Sequence, residues 1–212
     1  MSQVNLPAVS EVSICNQALG WLGSNPLQSL DDPGTTAGLC RNNFDHCRDA
    51  VLEARAWSFS IARAVSGSDT RDEWDSVYTH NMPYDWLRVL RVFCAVDNYS
   101  PGRWPDATDW RLERGQILTR HPKIYLYGQV RAYDTAKWTP MFVQTVAARL
   151  AADIAMAITE NRQLQIDMWQ LYERKLTEAA ASDGQQGSND FITQTQLTNV
   201  RFAGGDSLGW HR

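Results

Sequence analysis

The sequence predicts an α+β fold, mainly α: an antiparallel four-helix bundle, a small antiparallel β region inserted between its helix pairs, and an extended C-terminal arm. Three observations support this prediction. Apolar residues recur at helical spacing near both ends, short runs rich in branched and aromatic residues fill the middle, and Gln, Ser, Asn and Gly dominate after residue 181. We therefore expect one domain over residues 1–181, its β insertion at about 57–135, and an arm over 182–212.

The first helix pair begins at Ser10, whose hydroxyl can cap a first turn. An acidic turn around Asp31–Gly34 then leads to a second helix, which Thr35 or Thr36 can cap. The apolar stripe of this second helix is the most regular in the chain and includes Cys40, Phe44, Cys47, Val51 and Ala54. The opposite stripe is charged, so it is either a solvated face or a subunit contact. The candidate subunit-interface residues are Arg41, Asp45, Arg48, Asp49, Glu53 and Arg55.

The middle of the chain has the alternation of strands. Trp57, Phe59 and Ile61 alternate with small or polar residues, and the segment 86–96 is rich in branched and aromatic residues. Short alternating runs between residues 110 and 131 predict a meander of three antiparallel strands. Arg88 and Arg91 lie within the apolar segment 86–96, which indicates either ion pairs inside the protein or a contact with nucleic acid.

The second helix pair begins at Thr139–Pro140, a capping hydroxyl followed by proline at the first helical position. The helix that follows is apolar nearly all round and rich in alanine, which is typical of a central helix. Glu160–Asn161 is expected to end it, and a last amphipathic helix follows. In the arm, the candidate residues for contact with a partner are Phe191, Ile192, Arg201, Phe202 and Trp210.

Composition narrows the function. The chain has 212 residues and a net charge of −4, so it lacks the bulk positive charge of most proteins that bind nucleic acid through phosphates. Its first residues do not have the pattern of a signal peptide, and its apolar runs are interrupted by polar residues. We therefore expect a soluble protein made in the cytoplasm, with no membrane partner and with its four cysteines reduced and buried. Nine tryptophans indicate either an aromatic core or interfaces.

Motifs of common catalytic sites do not appear in the sequence. It contains neither a glycine-rich phosphate loop, nor a nucleophile elbow, nor a paired-histidine zinc motif. We expect no catalysis, no cofactor and no metal, but two alternatives remain. One is a small metal-dependent hydrolase using His46, Asp31 and Asp32. The other is a nucleic-acid-binding module that uses the arginines of the β region, namely Arg88, Arg91, Arg103, Arg111, Arg114, Arg120 and Arg131.

Four segments in order suggest a family. They are ICNQALGWLGSNPLQSLDD, RDAVLEARAWSFSIARA, MPYDWLRVLRV and RLERGQILTRHPKIYLYGQVRAYDTAKWTPMFVQTVAARLAADIA. From about Ser10 to Asp183 the chain resembles the tail tubular protein A family, the head-to-tail adaptors (connectors) of short-tailed bacteriophages. Each segment alone is weakly specific, but their order and spacing together are more so. Beyond Gln185 the resemblance is loose.

The resemblance implies a structural protein of the virion, at the interface between head and tail. It implies a helical bundle with a small β region, assembled as a ring that is commonly dodecameric. Such a ring lies beneath the portal protein, docks the tail nozzle protein and encloses a channel through which double-stranded DNA passes during genome ejection. The β-region arginines Arg103, Arg111, Arg114 and Arg120 would then face the DNA channel or the nozzle, and the candidate contact residues of the arm would meet the portal protein or a neighbouring subunit.

Overall fold

The computed structural model describes residues 9–94, 107 and 109–185. In this part of the chain there are four α-helices: α1 (Glu11–Trp21), α2 (Thr35–Ala54), α3 (Pro140–Thr159) and α4 (Arg162–Gly184). Six strands lie between the helix pairs: β1 (Ile61–Gly67), β2 (Tyr78–Asn81), β3 (Trp86–Cys94), β4 (Arg111–Glu113), β5 (Gln116–Thr119) and β6 (Lys123–Val130). Short 3-10 turns precede β1 and α3.

The helices do not form the predicted four-helix bundle. Helix α3 is the centre of the helical layer and packs against α1, α2 and α4, whereas α1 and α2 make few contacts with each other. The reason is the composition of α3, which is apolar on nearly every side and rich in alanine, so that each neighbour can approach it closely. The fold is an α+β combination of this layer with two sheets, and the predicted bundle is wrong.

Most predicted helix ends are confirmed. The Ser10 hydroxyl accepts a hydrogen bond from the Ser13 amide at 3.1 Å, and the Thr139 hydroxyl accepts one from the Phe142 amide at 3.3 Å. Glu160 ends α3 with a left-handed φ of 52°, and the next residue caps α4. The predicted cap of α2 is wrong, because Gly34 occupies the capping position and both threonines lie inside the helix.

The strands form two antiparallel sheets rather than one inserted meander. Sheet A has the order β1-β6-β3, and sheet B has the order β2-β5-β4. The predicted three-stranded meander is wrong because β6 leaves the β4-β5 hairpin and pairs with β1 and β3. The first strand begins at Ile61, since Ser58–Ser60 form a 3-10 turn that places Trp57 in the core. Strand β2 was not predicted.

A buried histidine joins the two sheets. His80 of β2 is 1% exposed, and its Nδ1 lies 3.1 Å from the Ser66 hydroxyl of β1. Its Nε2 lies 2.9 Å from the carbonyl oxygen of His121, just before β6. Because both ring nitrogens have partners on sheet A or beside it, His80 holds sheet B against sheet A.

The most apolar helix of the structure is α3, in the region where the sequence predicts a central helix. Among the described helices, α3 is long and apolar enough to cross a membrane by length and composition, but 61% of the span is buried inside the fold, as in a core helix.

Helix α4 continues to Gly184, and Asp183 is buried. Residues 182–184, expected in the arm, therefore belong to α4. The arm candidates Phe191, Ile192, Arg201, Phe202 and Trp210 lie outside the described residues.

Candidate interaction surfaces

The charged stripe of α2 is only partly a surface. Arg41, Asp45 and Glu53 are exposed, as predicted for a subunit contact. Arg48 is 4% exposed, so its assignment to an exposed interface is wrong. Its guanidinium binds the carboxylates of Asp45 at 2.7 Å and Asp49 at 2.9 Å, and it lies 4.8 Å from the ring centre of Tyr133. These partners satisfy the buried charge, which explains how an arginine can lie there.

The remaining two members of the stripe, Asp49 and Arg55, lie against other elements of the protein. Asp49 accepts a hydrogen bond at 2.9 Å from Arg131, which follows β6, and this bond raises the pKa of Arg131. The Arg55 side chain lies at the C-terminal end of α4, where a cation is favoured by the helix dipole. The stripe thus joins α2 to the β6 end of sheet A and to α4, and Arg41, Asp45 and Glu53 remain as its exposed part.

Arg48→Met tests this division. Removing the buried guanidinium is expected to lower the free energy of unfolding by about 2 kcal/mol, because Asp45 can turn to solvent while Asp49 keeps Arg131. The matched change Arg41→Met is expected to cost less than about 0.5 kcal/mol, since Arg41 is half exposed and lies 3.7 Å from Asp31. Urea denaturation measures both. Equal and small costs would contradict a structural role for Arg48.

The arginines of the β region do not form one basic patch. Arg111 forms ion pairs with Asp75 and Glu113, and the hydrogen bond from Arg111 lowers the pKa of Asp75. Arg88 donates a hydrogen bond to the side-chain amide oxygen of Gln129 at 3.0 Å, so its internal partner is a neutral amide rather than the carboxylate of a predicted ion pair. Arg114, in the β4-β5 turn, and Arg120 are exposed. Arg103 lies outside the described residues.

The outer side of sheet A is an exposed surface that the sequence did not predict. Strand pairing places Arg63, Tyr127 and Arg91 in one row across the sheet, and Val65, Tyr125 and Phe93 in the next row. We call these six residues the open face. They line a cavity of about 670 Å³, together with Ala56 and others. The other side of the sheet packs into a second hydrophobic cluster with Ile124, Leu126 and Val92.

The open face combines aromatic rings with positive charge. Val65 is 60% exposed, and Lys123 lies 5.8 Å from the ring centre of Tyr125. Arg63 and Arg91 form no ion pair with any residue in the described part of the chain. A surface that combines apolar side chains with arginines lacking an ion pair among the described residues is suited to a partner that has both apolar and negatively charged groups.

Four further apolar side chains lie exposed on two separate parts of the molecule. Trp74 and Tyr84 are 93% and 91% exposed in the connections that flank β2, and we call them the loop aromatics. Met156 and Ile166 are 46% and 41% exposed beside the α3-α4 connection, and we call them the helical tip. Sequence reasoning singled out neither pair. The sequence signal that could have indicated the exposure of Trp74 and Tyr84 is their position in polar, turn-rich segments, where a buried aromatic residue is unusual.

The residues of the hydrolase alternative have structural or solvent-exposed positions. Asp32 accepts hydrogen bonds from the amides of Gln28 at 3.0 Å and Ser29 at 3.1 Å and so fixes the turn before α2. Asp31 and His46 are exposed. Residues 9–94, 107 and 109–185 contain no group of three His, Cys, Asp or Glu side chains arranged to hold a metal ion. This part of the chain therefore offers no metal site to that alternative.

One polar network lies within the helical layer. The Arg149 guanidinium of α3 binds Asp153 at 3.0 Å and lies 4.5 Å from the ring centre of Trp169 in α4. Cys47 of α2 donates its thiol to Asp153 at 3.2 Å, and burial raises the pKa of that thiol. A thiol with a raised pKa is a poor nucleophile. These contacts join α2, α3 and α4, and the raised pKa of the Cys47 thiol does not favour its use as a nucleophile.

Comparison with protein-family models and with curated proteins adds no relative to this picture. No family model matches the chain, and no curated protein is similar to it.

Proposed function

We propose that this chain is a structural subunit of a phage head-to-tail adaptor ring, which joins the portal protein to the tail nozzle and surrounds the path of the DNA. The first support is the resemblance of four segments, in order, to the tail tubular protein A family. The observation that carries the proposal is the presence of exposed apolar side chains in two separate regions, the loop aromatics in the β region and the helical tip beside the α3-α4 connection. The ring would be dodecameric if the resemblance extends to assembly.

A closed ring requires two different surfaces on each subunit, because a heterologous contact joins one face to an unlike face of the next copy. The helical tip and the β region lie at different ends of the helical layer. Phe142, near the start of α3, contacts Trp57 and Phe59 beside β1, and Met156 lies about 21 Å farther along the helix axis. Exposed apolar side chains in two regions separated in this way are suited to contacts with two different neighbours.

The charge of the chain agrees with a conduit for DNA. A net charge of −4 disfavours tight binding of phosphates, and a channel that held DNA strongly would slow its release. Two arginines of the β region are paired with carboxylates, Arg111 with Asp75 and Glu113 and Arg131 with Asp49, which lowers the positive potential of that region. The exposed Arg114 and Arg120 remain available to face the DNA channel or the nozzle.

The proposal is tested by mixing the purified protein with the portal protein of the same phage and measuring the mass by light scattering. We expect a ring-sized complex with wild type. Trp74→Asp and Ile166→Asp each place a charge on one proposed contact surface, and each is expected to weaken assembly by at least about tenfold, the effect of losing one buried large apolar side chain.

The matched control is Thr177→Asp, which adds the same charge at another exposed position of α4, about three turns along the helix from Ile166, and is expected to leave assembly unchanged. Arg41→Glu and Glu53→Lys test the exposed part of the α2 stripe in the same assay. A wild-type protein that stays monomeric with the portal protein would overturn the adaptor proposal. Normal assembly of both aspartate variants would instead remove the loop aromatics and the helical tip as contact surfaces.

A further inference from the structure

Strand β4 is an outer strand of sheet B, and its free edge is exposed. In the described part of the chain, β4 pairs with β5 on one side and with no strand on the other. All three of its residues are exposed, namely Arg111, Leu112 and Glu113. The opposite edge of the sheet is covered, because the amide of Thr79 in β2 donates to the carbonyl oxygen of Thr70 at 3.1 Å. The open edge of sheet B is therefore the one at β4.

The turn that joins β4 to β5 determines which backbone groups this edge presents. Arg114 and Gly115 form a two-residue connection, and both have a positive φ, 49° and 75°, as in a type I′ hairpin turn. The residues that flank such a turn, here Glu113 and Gln116, form a hydrogen-bonded pair, and the next pair in an antiparallel ladder is not hydrogen-bonded. Leu112 belongs to that next pair, so its N–H and C=O groups point away from β5, toward the open edge.

The residues of β4 are complementary to a second copy of themselves. When two β4 strands lie antiparallel with Leu112 opposite Leu112, Arg111 of each copy faces Glu113 of the other. Opposite charges that face each other across antiparallel strands stabilise the pairing, whereas like charges weaken it. Short charged edge strands commonly prevent pairing between molecules, but this order of charges favours one antiparallel arrangement.

The side chains of this edge can make the additional contacts. Arg111 binds Asp75 through one Nη atom and Glu113 through Nε at 2.6 Å. These bonds engage two of the five guanidinium N–H groups, and the side chain is 48% exposed, so further N–H groups can bind a carboxylate of a second copy. Leu112, also 48% exposed, adds apolar area where the copies meet. An edge of three residues buries much less than the roughly 1,200 Å² of a stable interface, so the pairing is weak.

We propose that two copies of the chain pair through β4, antiparallel and about a two-fold axis at Leu112, and so join their B sheets into one continuous sheet. The pairing goes beyond the adaptor function, because a ring is closed by contacts between unlike faces, whereas a two-fold contact uses the same surface of both copies. It concerns the free chain at high concentration and requires no portal protein. The portal-binding experiment and the experiment below can therefore fail independently of each other.

Disulfide trapping in the full chain tests the pairing. The two Cα atoms of an antiparallel hydrogen-bonded pair lie about 5.5 Å apart, which a disulfide can bridge. With oxidised glutathione as the oxidant, Leu112→Cys is expected to form a disulfide-linked dimer in concentrated solution, while the four native cysteines are buried. The control is Gln116→Cys on β5, which would lie three strand spacings, about 14 Å, from its copy. We expect the control to form the dimer at least about tenfold more slowly.

Charge changes at the two ends of β4 test the register. In the Leu112→Cys protein, Arg111→Glu makes both ends acidic, and Glu113→Arg makes both ends basic. Each variant alone is expected to form the dimer at least about tenfold more slowly, because like charges then face each other. A one-to-one mixture of the two variants is expected to form the mixed dimer at the original rate. The same charge changes in the Gln116→Cys protein are the matched control.

The outcomes that would overturn the proposal are specific to this edge. Capture by Leu112→Cys no faster than by Gln116→Cys would overturn it. Unchanged capture by the acidic and basic variants, or a mixed dimer that forms no faster than either variant alone, would overturn it as well, since the charges would then not determine the contact. If circular dichroism shows that a single charge change prevents folding, the double change Arg111→Glu with Glu113→Arg decides, because it restores opposite charges and is expected to restore the dimer.

Discussion

Replacing Gly128 with alanine is expected to lower the free energy of unfolding by about 3 kcal/mol, near the upper end of overpacking in a core. Gly128 lies in β6, the central strand of sheet A, opposite Ala62 on one side and Val89 on the other. A Cβ atom there would lie 2.4 Å from the Trp86 ring and 2.6 Å from the Arg88 carbonyl oxygen. The carbonyl belongs to the backbone of β3 and the ring is buried, so neither can move without disturbing the sheet.

Gly67→Ala provides the matched control. Gly67 ends β1 in the same sheet, and its nearest new contact would be the Pro122 carbonyl oxygen at 4.0 Å. We expect a change of less than about 0.5 kcal/mol, and a small gain is consistent with a less flexible unfolded chain. Chemical denaturation followed by far-ultraviolet circular dichroism measures both variants. A loss below about 1 kcal/mol for Gly128→Ala would show that β3 and β6 can separate to admit a methyl group.

Local sequence predicted those elements whose partners are close in the chain. The Ser10 and Thr139 caps depend on residues three positions away, and the end of α3 at Glu160 depends on a single backbone conformation. The burial of the four cysteines followed from their apolar spacing, and it is confirmed. The arrangement of the helices did not follow, because an apolar stripe shows which side is buried without showing which helix covers it. Four apolar stripes predicted a bundle. In the structure, α1, α2 and α4 each pack against α3, whereas α1 and α2 make few contacts with each other.

The candidate surfaces depended on contacts distant in sequence. Arg48 has the spacing of an exposed charged stripe, but Tyr133 and Arg131, which are distant in sequence, cover this side of α2. Tyr133 lies against the Arg48 guanidinium, and Arg131 pairs with the neighbouring Asp49. The open face required β1, β6 and β3 to lie side by side, and nothing in the alternation of KIYLYGQV indicates which strands flank it. Alternation along a strand predicts which residues share one side of it, whereas the pairing of the three strands determines which residues form a common surface.

A second buried residue of β6 connects the sheet to the helices. Gln129 is fully buried, and its side-chain amide donates to the carbonyl oxygens of Leu52 at 2.6 Å and Arg55 at 2.7 Å. The last carbonyls of a helix have no partner within the helix, and α2 ends at Ala54. Gln129 therefore supplies the missing donor at the end of α2. Its amide oxygen accepts from Arg88, so one side chain joins α2 to two strands of sheet A.

Gln129→Met is expected to lower the free energy of unfolding by about 3 kcal/mol, because it keeps the size of the side chain and leaves buried carbonyl groups without a donor. The control is Gln116→Met on β5, where the exposed amide donates to Asn81 at 3.1 Å and the cost is expected to stay below about 0.5 kcal/mol. Hydrogen exchange gives a second measurement, since the amides of the last turn of α2 should exchange faster in Gln129→Met alone. If hydrogen exchange is unchanged and the free energy of unfolding falls by less than about 1 kcal/mol, other donors reach the end of α2 in the absence of Gln129. The contact between α2 and sheet A would then not depend on Gln129.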